Sequence, residues 1–233
     1  MANHKSTGST ANVAYEFFSD AYSLTMTNTI AKGEEVFISY GERSNDQLLQ
    51  YYGFVEPDNP YDVYVMPPIR EWNIASLEDA CGGPFAAGRL GKLDRAGLLG
   101  KAIDSSVADD DVDEASGNPR GGVILTRSEG VDPAVIQALR ALVSTDEEWE
   151  LAGEAVGNFA ASVSPQNEER ARLAARTAIE MELNAKPTSL EEDQELLKRM
   201  ELSNAGMESE ERLSLIFRIE KKKILKDSIE RLK

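Results

Sequence analysis

Between Val13 and Ile38, β-branched and aromatic residues gather in three short runs, VAYEFF, YSLTMTNTI and EVFISY, with SDA and AKGEE between them as turn material. The pattern predicts three short strands joined by tight connections. From Ser44 the spacing becomes helical. SNDQ forms a capping box, in which the Ser44 hydroxyl takes the Gln47 backbone N–H and the Gln47 side chain returns to the cap. Leu48, Leu49 and Tyr52 then line one face, and Gly53 stands where a left-handed C-cap belongs. Strand, Tyr40-Gly41 turn and short helix thus follow in order. Asn59-Pro60 makes another break, and YDVYVMP reads as a further strand.

Residues 81–122 are rich in Gly, Asp, Ala and Ser and poor in large apolar side chains, which predicts an acidic loop over part of that length. Within it, DDDVDE lacks the glycine and the terminal glutamate of an EF-hand loop, so it reads as solvated chain and not as a calcium site. GGVILTR is a candidate strand, and everything after it is helical. DPAVIQALRALVS opens with Asp132 as N-cap and Pro133 at the first helical position, and SPQNEERARLAARTAIEMELNA repeats that start with Ser164 and Pro165. TSLEEDQELLKRMELS carries a second capping box, Ser189 with Glu192. In the last helix Leu213, Ile216, Phe217 and Ile224 form an apolar stripe that predicts internal packing, and the three lysines of EKKKILK read as a solvated face.

Composition narrows the possibilities. A chain of 233 residues can hold one large or two modest domains, and 41% hydrophobic with 28% charged residues is the balance of a soluble globular protein. No apolar run approaches the roughly 20 residues that cross a membrane. A net charge of −16 argues against a nucleic-acid partner, since phosphate binding needs Lys and Arg; it suits a basic protein partner, or solubility alone. Cys81 is the single cysteine and His4 the single histidine, which excludes an intramolecular disulfide, a cysteine zinc cluster and a multi-histidine metal site. No metal is therefore expected, and the compartment should be reducing and intracellular, with chloroplast, cytoplasm and nucleus left open. MANHKSTGST has neither a secretion signal's apolar core nor a transit peptide's arginines.

Taken in order, Asn3-His4, a strand pair, GEEVFISYG ending at Tyr40, Arg43 to Asn45, and YGFVEPDNPYD resemble the second half of a SET domain. More narrowly they resemble the branch that contains Rubisco large-subunit lysine methyltransferase and an actin-histidine methyltransferase. The helical half is similar to that branch's substrate-binding domain, notably in TSLEEDQELL and RIEKKKIL. The resemblance implies an α+β fold: a partial SET β-fold over 1–66, a linker with a Gly/Asp-rich insertion over 67–122, and a helical substrate-binding domain over 123–233.

It also implies an S-adenosylmethionine-dependent protein N-methyltransferase, with lysine the leading target and histidine the other, acting as a monomer on a protein substrate. Tyr40 would be the active-site tyrosine, Asn3, His4, Tyr52 and Phe54 would contact the cofactor, and Arg43 would be a substrate contact or a local cap. In the family the Asn-His and tyrosine segments cross in a knot-like arrangement. By the same resemblance the first half of the SET domain is absent, so Met1 reads as an internal codon and the chain alone is expected to bind S-adenosylmethionine weakly, with bare apolar strand faces. The competing readings are a non-catalytic module that holds a protein partner through its helical domain, and an unrelated α+β protein.

Overall fold

A computed structural model describes residues 3–17, 19–99, 122–202 and 209–233. The DDDVDE segment lies outside them. The chain divides into two compact units, residues 1–62 and 63–233, and among the described residues no helix is long and apolar enough to cross a membrane.

The first unit starts with a two-residue strand, β1 (Asn3–His4), which pairs in parallel with β4 (Phe37–Ile38), Asn3 opposite Phe37 and His4 opposite Ile38. Between them β2 (Ala11–Glu16) and β3 (Ala21–Met26) form an antiparallel hairpin. Two of the three expected strands thus form, YSLTMTNTI only as far as Met26, and EVFISY contributes only Phe37 and Ile38. Phe37 is bonded to Thr10 as well: its N–H donates to the Thr10 hydroxyl at 2.8 Å and its carbonyl accepts the Thr10 N–H at 2.9 Å.

Alternation along the hairpin puts Ala11, Val13 and Tyr15 opposite Met26, Leu24 and Tyr22, so one face is apolar and the other is small or polar. On the apolar face only Ala11 is buried; Tyr22 is 76% exposed and Leu24 56%.

After Gly41, which holds φ at 96°, helix α1 (Asn45–Tyr52) begins at the Ser44–Gln47 capping box and ends at Gly53 in the left-handed conformation, φ 74°. Both ends match the sequence pattern.

The second unit begins with β5 (Val63–Met66), which pairs antiparallel with β6 (Val123–Thr126), itself hairpinned through Gly130 to β7 (Gly130–Val131). Residues 67–99 are more than the linker the sequence pattern implied. They hold a 3-10 turn (Ile69–Glu71), α2 (Ile74–Cys81) and α3 (Arg89–Arg95), whose Leu77 and Leu93 lie in the main core. Leu77, Leu93 and Leu99 join that core, with Ile74 and Cys81 of α2 packed against it.

Helix α4 (Pro133–Leu142) starts at the Asp132 cap with proline at N1, and α6 (Pro165–Asn184) does the same at Ser164. Between them α5 (Asp146–Leu151) opens on a Thr145–Glu148 box, and a 3-10 segment (Val156–Ala160) buries Phe159 against Trp149, rings 5.2 Å apart. α7 (Leu190–Leu202) and α8 (Ser209–Arg231) close the chain. Ala171, Ala174, Ala175 and Ala178 give α6 a face of small side chains, so α2, α4 and α8 can pack closely on it.

Helix α8 is the axis of this unit, touching α6, α7 and all three strands. Its buried apolar positions are Leu215, Ile216, Ile219, Ile224, Leu225 and Ile229, while Leu213 and Phe217 of the expected stripe are half-buried. The solvated-face reading of EKKKILK does not hold, because a helix packed on several sides has little free face. Lys221 and Lys222 are buried, and their stems run through the interior to partners. Lys221 donates to the Val63 carbonyl at 2.7 Å, and Lys222 meets the Asp193 carboxylate and the Thr188 hydroxyl at 2.6 and 2.7 Å. Lys223 pairs with buried Glu220, which also takes Arg127 at 2.6 Å. Arg218 completes the clasp on Asp193, so α7 is locked to α8 by charge as well as by Leu190 and Ile219.

Candidate active site

Four aromatic rings from three separate segments of the first unit converge. His4 lies 4.9 Å from Tyr40 and 5.9 Å from Phe54, centre to centre; Tyr40 lies 4.7 Å from Tyr52 and 6.5 Å from Phe54. These are tilted and edge contacts, the geometries that ring quadrupoles favour. Each segment arrives for a local reason: His4 by the β1–β4 pairing, Tyr40 on the turn after β4, and Tyr52 and Phe54 on either side of the Gly53 cap. Tyr52 is 47% exposed while the His4 side chain is wholly covered, so the cluster has a floor and an open rim.

A polar chain fixes the floor. Tyr40 N–H donates to His4 Nδ1 at 2.9 Å, which makes Nδ1 the acceptor and puts the proton of the neutral ring on Nε2. His4 Nε2 faces the Ser6 hydroxyl at 3.0 Å, and Ser6 in turn donates through its hydroxyl and, at 2.9 Å, its backbone N–H to Glu56. Glu56 is held from the other side: its N–H bonds Asn45 Oδ1 at 2.9 Å and its carbonyl accepts from Asn45 Nδ2 at 3.0 Å. Fully buried Asp62 then receives both the backbone N–H and the side-chain amide of Asn45, each at 2.9 Å. Fully buried Asn59 ties the Arg43 carbonyl at 2.8 Å. Tyr40 is thereby aimed by its own backbone, clamped through His4 to the start of α1.

Of the residues singled out in the sequence, His4, Tyr40, Tyr52 and Phe54 come together. Asn3 and Arg43 do not join the rings. Asn3 alternates to the opposite side of β1 and gives its amide to Glu35, and Arg43 Nε reaches back to the Tyr40 carbonyl at 3.4 Å, the local-cap option. Ser6, Asn45, Glu56, Asn59 and Asp62 were not singled out. Asn45 reads as part of a helix cap and Asn59 as a turn, and nothing in the linear order says that both are buried. Cys81, half-buried at the end of α2, is no part of the cluster, and burial pushes its thiol up. Among the described residues no three of His, Cys, Asp and Glu are grouped to hold a metal.

The fold has solved relatives. Over 99% of this chain and 47% of theirs it superposes on Rubisco LSMT bound to sinefungin and monomethyllysine, TM-score 0.55 and 21% identity, and on Rubisco LSMT bound to AdoMet, TM-score 0.55 and 20% identity. Together with the mixed strands and helices, this places the chain in the α+β class of those structures. Residues 86–225 match Rubisco LSMT substrate-binding, and the chain belongs to that family.

Relatives in sequence are methyltransferases. The actin-histidine N-methyltransferase of Drosophila melanogaster is 40% identical over 98 residues, 42% of this chain and 16% of that protein. N-lysine methyltransferase SETD6 of Homo sapiens is 39% identical over 64 residues, 27% and 12%. Ribosomal lysine N-methyltransferase 3 of Saccharomyces cerevisiae is 49% identical over 45 residues, 19% and 8%. The chain spans about half the length of the solved relatives, and the matched stretches span a sixth or less of these sequence relatives.

Proposed function

We propose that this chain is the tyrosine-bearing part of an S-adenosylmethionine-dependent protein N-methyltransferase that acts on lysine. The convergence of His4, Tyr40, Tyr52 and Phe54, four of the six residues that the family resemblance assigns to the site, supports the reading. Relatives named as lysine and histidine methyltransferases support it.

The donor set suits the cofactor. Aromatic faces take a flat adenine by stacking and attract a sulfonium as they attract other cations. Tyr52 and Phe54 would flank the adenine, and His4 with the β1 backbone at Asn3 would hold the rest of the molecule. When bound, S-adenosylmethionine supplies a methyl group on a positively charged sulfur.

The protein's task is to present a neutral amine in line with that methyl carbon. A free lysine, pKa about 10.4, is almost wholly protonated at neutral pH. The Tyr40 hydroxyl would accept an N–H of the neutral amine, which turns the nitrogen lone pair toward the methyl carbon and leaves it free. Tyr40 and the neighbouring rings would hold that nitrogen in line with the methyl carbon. Tyr40 acts by positioning and not as a strong base. Arg43, a secondary candidate, would steady the Tyr40 carbonyl and not touch substrate.

The test uses the protein isolated from its native source, tritiated S-adenosylmethionine and a basic protein mixture, with amino-acid analysis of the labelled product. Label should appear in methyl-lysine, and Tyr40→Phe should lower transfer about 100-fold while the protein stays folded. Label in methylhistidine would move the target class, and transfer undiminished in Tyr40→Phe would remove the assignment.

A further inference from the structure

A second concave site lies wholly within residues 63–233. It is a cavity of about 230 Å³ between the end of β5, the 3-10 turn, the start of α2 and the C-terminal part of α6. That is below the roughly 300–1,000 Å³ of small-molecule sites and closer to the room one side chain needs. Its walls are Met66, Leu77, Met181 and the ring of Trp72, and its rim carries two carboxylates, Glu71 and Glu182. Among the described residues no lysine or arginine lines it.

Each wall is set in place. The Trp72 indole N–H donates to the Pro67 carbonyl at 2.8 Å, which fixes the ring and spends its donor. Glu182 takes the Lys186 ammonium at 2.6 Å and the Tyr64 hydroxyl, both on Oε1, and no described residue meets Oε2. Burial pushes Glu182 up, but the bonds from Lys186 and Tyr64 outweigh it and hold the carboxyl below its ordinary range. Burial, then the bond to Glu182, pushes the Tyr64 hydroxyl up to about 12, so it remains a donor. Glu71 is exposed and makes no ion pair with any described residue. Lys186 offsets one of the two negative charges from behind, and the mouth remains acidic.

An aromatic face, two thioethers and a pair of carboxylates with uncommitted oxygens are what a long apolar stem ending in a cation requires. We infer that this cavity is a socket for a lysine or arginine side chain of a basic protein partner. A chain of net charge −16 favours the approach of such a partner. The inference does not rest on methyl transfer: the socket is read from the second unit alone.

The test is a titration of the full chain, without S-adenosylmethionine, by N-acetyl-lysine methylamide and N-acetyl-arginine methylamide, with the uncharged glutamine analogue as control. The readout is the NMR signal of the Trp72 indole N–H; the chain has two tryptophans, and buried Trp149 is the internal reference. The Trp72 signal should move along a saturating curve with the two cations, stay still with glutamine, and leave Trp149 unmoved. Glu71→Gln, a change at an exposed side chain, should weaken binding about 3- to 5-fold, the upper range for a solvent-screened pair. Equal shifts with the glutamine analogue, no shift at all, or full affinity in Glu71→Gln would each overturn the socket. None of those results would bear on Tyr40.

Discussion

The two units are built by opposite means. Among its described residues the first buries three apolar side chains outright, Ala11, Leu48 and Val55, beside the polar Asn45, Asn59 and Asp62. The second buries a continuous apolar body from Met66 and Ile69 through Leu139, Leu142 and Phe159 to Ile224 and Leu225. Hydrophobic burial is non-directional and roughly proportional to area, so it tolerates small errors of position. Hydrogen bonds between buried groups add little net stability, yet leaving one unmade is expensive. A unit held by the second means is precise and brittle. That is a reasonable build for the place where rings must meet at defined distances, and it leaves the apolar face of the β2–β3 hairpin uncovered.

The sharpest way to break the contrast is Asp62→Ala. It strips the acceptor from the Asn45 backbone N–H and from one side-chain donor, both buried. Two unsatisfied groups at roughly 1–3 kcal/mol each give an expected loss of about 4 kcal/mol, and the first unit has little apolar burial to absorb it. Hydrogen exchange followed by mass spectrometry should show residues 3–62 losing protection while 123–142 and 165–184 keep theirs. Equal loss in both regions would mean that the polar chain is not what holds the first unit.

Leu139→Ala is the counterpart in the second unit. Leu139 is fully buried at the centre of α4, and a leucine-to-alanine cavity costs about 3 kcal/mol. The unit should remain folded, with a lower denaturant midpoint and an unchanged slope, because the surrounding core survives. A change of slope, or collapse of the unit, would show a core less redundant than its size implies.

What could be read from the sequence follows the same division. Helix ends were legible because their chemistry is local: Ser44 with Gln47, Asp132 with Pro133 and Ser164 with Pro165 all stand where the caps are. Amphipathic spacing gave α4 and most of α8. Motif order pointed to Asn3, His4, Tyr40, Arg43, Tyr52 and Phe54 together, and of these His4, Tyr40, Tyr52 and Phe54 have their rings in contact while Asn3 and Arg43 bond elsewhere. The burial of Asn45, Asn59 and Asp62 was not legible, since a polar residue near a turn looks alike whether solvated or satisfied inside. Lys221 and Lys222 failed as surface residues for a related reason: their partners, Val63 and Asp193, are 158 and 29 residues away. The helices of 67–99 went unread because they are short, eight and seven residues, and sit in a stretch whose flanking glycines read as loop.

Acid should sharpen the comparison from the side of the second unit. The Arg140 bond, working against burial, holds Glu168 below its ordinary value of 4.5, and Arg172 adds to it. Burial raises Glu148 and Asp193, but Ser164, Thr145 and Arg170 on the former, and Arg218, Lys222 and Thr188 on the latter, bring both below their usual range. A carboxyl depressed in the folded state contributes stability that is fully present above its unfolded pKa and lost as pH falls through the folded one. The second unit should therefore be insensitive between pH 6 and about 5, and should lose stability progressively below about pH 4. Denaturant midpoints at those values test it, and Glu168→Gln should flatten part of the fall. A midpoint unchanged down to pH 3 would contradict the sign.

The smallest effect is the most discriminating, because the same device occurs in both units. Ser189 and Glu192 form a reciprocal box at the start of α7, the Glu192 N–H on the Ser189 hydroxyl at 3.0 Å and the Ser189 N–H on the Glu192 carboxylate at 2.7 Å. Ser44 and Gln47 do the same for α1 at 3.4 and 3.3 Å. Replacing either serine with alanine should cost about 1 kcal/mol, roughly a fivefold rise in the opening equilibrium. The cost is shared and its reach is not. In Ser189→Ala, faster exchange should stay within the first turns of α7, since Lys222 still holds Asp193 and the Ser189 carbonyl. In Ser44→Ala it should spread through α1 to residues 54–62 and to the Tyr40 amide, because Asn45 joins the cap to Glu56 and Asp62. Spreading in both variants would mean that the second unit, too, is held by its polar contacts, and the contrast between apolar body and hydrogen-bonded clamp would fall.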